Sequence, residues 1–347
     1  MKKNKYHSVI YYVPVDIKYF NRWEYYNVDL KMLKNAHDYV YICHNFMDFI
    51  KLIYTKQIDL VYFWWWHSSL LIVLISKLRN IETIGTGAVH MYDESGAPDF
   101  HSRGFFYRFL NRVTWRLASK ILFISESQYR QVTSHEYVSN ACVLKSSSIH
   151  TKEELLLLSK NKTINPSVQL MTVSWLTKDQ LRRKSIDKIL KAIAILPKDI
   201  LDNISLYIIG GEGDGIDYIK NLISNFNLNS NVFIEVDISN ERKIQLYRSS
   251  DLYIQPSYYE GFGNSVMEAM SYGAPCVVSA NTAQPEVVLD TGYILNQITS
   301  DSIYKAILDY ANKSISDREK MIQDVRSTVS KFHSYDSRLE AYLKLFG

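Results

Sequence analysis

The residues with the plainest chemistry fall in one stretch, Ser257 to Val278. Two carboxylates, Glu260 and Glu268, stand there with seven residues between them, and Gly261 and Gly263 lie inside that interval. The apolar run Leu252-Tyr253-Ile254 before it reads as a buried strand. Glycines at 261 and 263 permit a tight turn in which bare backbone can approach a ligand. Asn264 or Ser265 can cap a helix running to Ser271, Gly273-Ala274-Pro275 ends it, and Cys276 to Val278 starts the next strand. A helix N-terminus after such a loop carries unpaired N–H groups and partial positive charge, which suits phosphate. Spacing alone leaves two other readings open. Ser265-x-x-Glu268 also fits a capping box, and Glu260 also fits a solvated loop acid.

Other groups could serve the same chemistry. Arg182-Arg183-Lys184-Ser185 follows a predicted strand over 169–174, and fixed cations there would favour an anion; a solvated basic loop is the alternative. Gly210-Gly211-Glu212-Gly213 follows another strand and is either a ligand-approaching loop or a turn. Earlier in the chain, Gly85 to Gly96 contains His90, Asp93 and Glu94 beyond a predicted strand, where open α/β sheets bind ligands. His90 is either a site residue or a packed one; Asp93 and Glu94 either bind acceptor hydroxyls or face water.

These groups need a scaffold. A chain of 347 residues with 47% hydrophobic content can fill two cores. Strands are expected at 8–15, 39–43, 60–64, 82–84 and 121–124, with helices at 46–54 and 69–78 between them. After a polar stretch over 159–166, strands recur at 169–174, 205–209, 232–235 and 252–254. Alternation of this kind predicts α/β architecture, doubly wound parallel sheets covered by helices on both faces. The expected division is 1–163, 164–330 and a final helix over 331–347. A net charge of +4 is too small to suggest nucleic acid as partner. Cys43, Cys142 and Cys276 are too scattered for a disulfide framework or a zinc site. No glycine precedes Gly85, so the first βα turn lacks a dinucleotide fingerprint.

The pattern Glu260-Gly261-Phe262-Gly263-Asn264, followed by Glu268-Ala269-Met270 and Gly273, resembles the E-x7-E signature of the retaining family 4 glycosyltransferases. The resemblance is close over about 169–295 and loose before that. It implies the GT-B arrangement, two Rossmann-like domains facing across a cleft, with the acceptor side N-terminal and the nucleotide-sugar in the C-terminal domain. It implies that Glu260 and His90 serve the donor sugar, that amides around Gly261, Phe262, Gly263 and Asn264 take a diphosphate, and that Glu268 holds the ribose. Lys184, with Arg183 beside it, and Gly211 complete the donor site by the same likeness. Trp175 stands where the family commonly has Arg. The implied activity is retaining transfer of a hexose from a nucleotide-sugar to a glycan or lipid-linked acceptor, in bacterial surface polysaccharide synthesis, with neither a bound cofactor nor a metal. A catalytically silent GT-B subunit and a nucleotide-sugar epimerase are the alternatives.

One segment points to location. Residues 103–120 contain no acid, and Arg108, Arg112, Arg116 and Lys120 recur every four residues. A basic stripe beside an apolar face of Phe106, Phe109, Leu110, Val113 and Leu117 fits a helix on an anionic membrane; it also fits an ordinary helix packed on the sheet with a solvated basic side. No apolar run is long enough to span a bilayer. The expectation is a cytoplasmic protein, peripheral on the inner face of the cell membrane.

Overall fold

A computed structural model describes residues 5–22, 24–91, 99–138, 140–158, 162, 164 and 167–347. Asp93 and Glu94 lie outside the described residues, as does most of the stretch around the expected 163/164 boundary. The chain forms two compact units. One comprises the described residues up to 151 together with 333–347, the other 152–332.

The first unit is built on a parallel sheet of β1 (Ser8–Tyr12), β2 (Tyr39–Cys43), β3 (Leu60–Trp64), β4 (Glu82–Gly87), β5 (Lys120–Phe123) and β6 (Ala141–Val143), in the order β2-β1-β3-β4-β5-β6. Period-two alternation sends Ile10, Tyr12, Val61 and Phe63 into one core and Val9, Tyr11, Leu60 and Tyr62 into the other. Both faces are therefore buried, which is why these strands read as continuous apolar runs. β1 stops short of the expected Val15. Val13 N–H still donates to Cys43 at 2.8 Å, but Pro14 has no N–H with which to extend the ladder. β6, a half-buried edge strand of three residues, has no distinct sequence signal.

The C-terminal helix Tyr335–Phe346 belongs to this unit and is fixed by one buried ion pair. Arg338 Nη2 lies 2.5 Å from Asp29 Oδ1, and both side chains are almost fully buried. Tyr62 Oη and Trp64 Nε1 each donate to Asp29 Oδ2 at 3.0 Å, so both carboxylate oxygens are satisfied. Arg338 also donates to the Leu144 carbonyl at 3.0 Å.

The second unit repeats the architecture with β7 (Val168–Val173), β8 (Ile204–Gly210), β9 (Val232–Val236), β10 (Leu252–Gln255), β11 (Cys276–Ser279) and β12 (Tyr293–Leu295). The order is β12-β11-β10-β7-β8-β9, all parallel. The chain runs outward from β7 through β8 to β9, then returns to place β10 beside β7. That return is a topological switch point, and it sets the loops after β7 and β10 next to each other at the carboxyl ends of their strands. Helices Lys152–Leu158 and Ile315–Phe332 pack together in this unit, with Arg326 donating to the Leu156 carbonyl at 3.0 Å.

The basic helix spans Phe105–Leu117. Lys120 is not on it: the backbone turns extended at Ala118, and Lys120 is the first residue of β5. The expected apolar face is not the buried one. Asn111, Thr114 and Trp115 are buried, Trp115 stacking on Phe100 at 5.5 Å, whereas Phe106 and Phe109 are exposed. The sheet selects the face carrying the largest ring it can enclose.

Removing either partner of the Asp29–Arg338 pair leaves an uncompensated buried charge. Asp29→Ala or Arg338→Ala should each cost about 3–5 kcal/mol. Denaturant unfolding should show this loss in the first unit, and a pair of apolar replacements at both positions should recover most of it.

Candidate functional site

The loop after β10 and the loop after β7 build one charged cluster. Gly263 is the N-cap of the helix Asn264–Ser271, in the left-handed region at φ 108°. An L side chain is strained there, and an added Cβ would also lie 3.3 Å from Gln284 Cγ. Neither Asn264 nor Ser265 is the cap. Both lie in the first helical turn, so the alternative reading of Ser265 and Glu268 as a capping box does not hold. The N-cap Gly263 brings no side-chain cap hydrogen bond, and a helix N-terminus favours an anion. Gly261 and Phe262 are buried in the approach to it.

Glu260 lies within this loop, its side chain only 14% exposed, and two cations face it. Arg183 Nη1 is 2.9 Å from Glu260 Oε1 and Lys184 Nζ is 3.8 Å from the same oxygen. Arg183 is held from behind, its Nε donating to Gln180 at 2.9 Å and its Nη1 to the Tyr259 carbonyl at 2.5 Å. Lys184 Nζ donates to the Val173 carbonyl at 2.7 Å and to Gln255 Oε1 at 3.2 Å. Burial alone would raise the Glu260 carboxyl, but the charges of Arg183 and Lys184 and a hydrogen bond from Ser257 outweigh it and hold it below the ordinary range. Burial pushes the Lys184 ammonium down to about 8, with Glu260 opposing and Arg183 reinforcing that change.

Ser185, after Lys184, has φ 54°, a left-handed conformation unusual for serine. It lets the chain turn sharply into the helix Ile186–Ala194 and keeps Lys184 aimed inward. Trp175 lies over the glycine cluster: a Cβ added at Gly211 would come within 2.2 Å of its ring. Gly210 is equally constrained, since a Cβ there would lie 1.5 Å from the Ser174 carbonyl oxygen. The glycines at 210 and 211 are therefore required by packing.

Glu268, one turn into the helix, pairs with Lys243 at 3.3 Å and keeps 24% of its side chain exposed. His90 belongs to the first unit, half-buried beyond the end of β4, its carbonyl accepting from Phe100 N–H at 2.8 Å. The structure thus brings Arg183, Lys184, Glu260 and the loop 261–264 together in the second unit, with Gly211 at the neighbouring strand end. Among the described residues, no three His, Cys, Asp or Glu side chains converge as a metal site. Sequence reasoning missed Gln255, Ser257, Gln284 and Lys243. The only signal for Gln255 is a polar residue closing the run Leu252-Tyr253-Ile254.

Residues 176–328 match the family of glycosyl transferases group 1. Two solved structures share the fold over nearly the whole chain. Sucrose-phosphate synthase from Thermosynechococcus elongatus has a TM-score of 0.76 at 14% identity, covering 98% of each chain. The Anabaena protein HepE, in complex with UDP and glucose, has a TM-score of 0.70 at 14% identity, covering 98% of this chain and 99% of that one. The two parallel-sheet units are the GT-B fold. Among curated relatives, O-antigen chain mannosyltransferase B of Escherichia coli is 32% identical over 126 residues, 36% of this chain and 33% of that protein. Alpha-galactosylglucosyldiacylglycerol synthase of Streptococcus pneumoniae is 26% identical over 166 residues, 48% of this chain and 42% of that one. The matches to curated relatives thus span less than half of their lengths.

Lys184 should titrate near pH 8 when followed by NMR of labelled lysine side chains. Glu260→Gln removes the charge that opposes its depression, so Lys184 should then titrate lower still. An unchanged or higher value would show that the two groups are not coupled.

Proposed function

We propose that this protein is a retaining glycosyltransferase that moves a sugar from a nucleotide-sugar donor to a glycan or lipid-linked acceptor in surface polysaccharide synthesis. The observation that carries the reading is the convergence of Arg183, Lys184 and the glycine-capped helix N-terminus beside the buried carboxylate of Glu260. A diphosphate leaving group gains charge as the sugar bond breaks. Fixed cations and backbone amides act most strongly on that charge, in the transition state. In this reading Glu260 and His90 serve the donor sugar and Glu268 the ribose. Asp93 and Glu94 are the acceptor-side candidates. The match over 176–328 and the relatives named for mannosyl and glycolipid synthesis support transfer, and the UDP complex of HepE supports a nucleotide-sugar donor. Retaining glycosidases that form a covalent intermediate use two carboxyls about 5 Å apart in paired roles. Glu260 and Glu268 have separate roles here, which favours same-face attack assisted by the departing phosphate, without metal.

We also propose that the protein works at an anionic lipid surface, peripheral on the cytoplasmic leaflet. The helix Phe105–Leu117 exposes Phe105 by 66%, Phe106 by 75% and Phe109 by 46%. Its basic residues, Arg108, Arg112 and Arg116, lie among them, and Arg112 pairs with Glu136. The helix Leu70–Leu78, which packs beside it, exposes Leu71 and Leu78 and contains no acid. Exposed apolar rings on a helix that carries basic residues and no acid match the chemistry of an anionic bilayer better than that of a protein partner. Among the described residues no helix is long and apolar enough to cross a membrane.

Transfer from a nucleotide-sugar should fall roughly 100-fold or more in Glu260→Ala while UDP still binds. Calorimetric UDP affinity should weaken in Lys184→Met and Glu268→Ala. Lys184 is charged below about pH 8, so affinity should hold below that pH and decline above it, by up to roughly tenfold per pH unit. Absence of binding across a panel of nucleoside diphosphates and nucleotide-sugars would favour a silent subunit, and a changed sugar on the recovered nucleotide would favour an epimerase.

Flotation should be strong with vesicles containing phosphatidylglycerol and weak with phosphatidylcholine alone. It should be lost when Phe105, Phe106 and Phe109 become Ser, or when Arg108 and Arg116 become Glu. Equal flotation by these variants would reject the lipid surface, and concentration-dependent dimerisation that they abolish would assign it to a second copy.

A further inference from the structure

We propose that Gln255 is a positioning residue that holds one oxygen of Glu260 and thereby turns the other toward the donor sugar. The inference rests on the sugar-transfer reading and adds a residue to it. Gln255 ends β10, paired in register with Val278 of β11, and is 1% exposed. A carboxamide at that depth is costly unless both its ends are paired. Its orientation follows from its neighbours. Gln255 Oε1 receives Tyr253 Oη–H at 2.6 Å and Lys184 Nζ at 3.2 Å. An ammonium can only donate, so the end facing it must be the oxygen. Nε2 then faces the other way and donates to Glu260 Oε1 at 2.9 Å.

The strand end that carries this amide is fixed in turn. The Gln255 carbonyl accepts from Gln284 Nε2 and from Ser257 N–H, both at 2.9 Å. Gln284 is fully buried, its Oε1 accepting from Ser279 Oγ at 3.1 Å. Ser257, placed by that backbone bond, donates its hydroxyl to Glu260 Oε1 at 3.1 Å. Among the described residues, the polar contacts of the Glu260 carboxylate, those of Arg183, Lys184, Gln255 and Ser257, converge on Oε1. Among the described residues, Oε2 receives none.

The two kinds of contact have different fates in a reaction. A diphosphate draws the charge of Arg183 and Lys184 toward itself. Gln255 and Ser257 are neutral and anchored to the sheet, so they continue to hold Oε1 when the cations are engaged elsewhere. Loss of Gln255 should therefore spare nucleotide binding and damage turnover.

The experiment uses Gln255→Leu and Gln255→Glu in the full chain, each checked for cooperative unfolding. With a nucleotide-sugar donor, kcat should fall roughly 10- to 100-fold in Gln255→Leu, the scale of a misplaced reacting group, while UDP affinity by calorimetry changes little. Removing a donor to the carboxylate favours its protonated form, so the acid limb of the pH–rate profile should move to higher pH. Gln255→Glu, which sets a second carboxylate against Glu260, should move it further. The Glu260 carboxyl, followed by NMR of glutamate-labelled protein, should show the same order in the absence of turnover. An unmoved Glu260 titration in both variants overturns the proposal, as does a parallel loss of UDP affinity and kcat. Failure of the transfer reading is distinct: wild-type protein would then bind no member of a panel of nucleoside diphosphates, or Glu260→Ala would keep full activity, whatever Gln255 does.

Discussion

The pairing of β10 with β7 is the constraint on which the site depends. These strands are distant in sequence, and the chain visits β8 and β9 before it returns. Because successive parallel strands connect by crossovers packed on the sheet faces, the return leaves an opening at the carboxyl ends of β7 and β10. Arg183 and Lys184 come from one side of that opening and Glu260 from the other. A loop alone could not hold three charges so close. Here the cations are tied back to the Val173 and Tyr259 carbonyls, and the carboxylate to the sheet through Gln255.

Burial makes the cluster consequential. In water, a lysine and a glutamate at nearly 4 Å interact weakly. Withdrawn from solvent, the carboxyl is held ionised and the ammonium is destabilised, so each state depends on the other. The surrounding amides and hydroxyls then matter more than their number suggests, since no water can replace a missing partner. Ser185 in a left-handed turn and Trp175 pressed on Gly211 belong to the same economy of space.

Much of this was legible in the chain. β2 and β3 fall where apolar runs predict them, and the helix Asn264–Ser271 ends as expected because Gly273 and Pro275 stop it. The cap was misplaced by one residue, since Gly263 reaches a φ that Asn264 need not adopt. The three-residue β6 carries too few side chains to show a period. Of the two readings of helix Phe105–Leu117, the one that packs Phe106 and Phe109 on the sheet does not hold, because hydrophobicity counts rings, whereas the sheet takes Trp115, whose ring meets Phe100 and Trp66. Gln255 could not be found from sequence: its role exists only once β7 and β10 are neighbours and Lys184 reaches across.

The Asp29–Arg338 pair joins residues 309 positions apart. As the chain leaves the ribosome, everything needed for the second sheet has emerged before the arginine that neutralises Asp29 is made. The first sheet therefore gains the counter-ion of its buried aspartate only after every strand of the second has been made, so the unit begun first cannot close before the other has been synthesised.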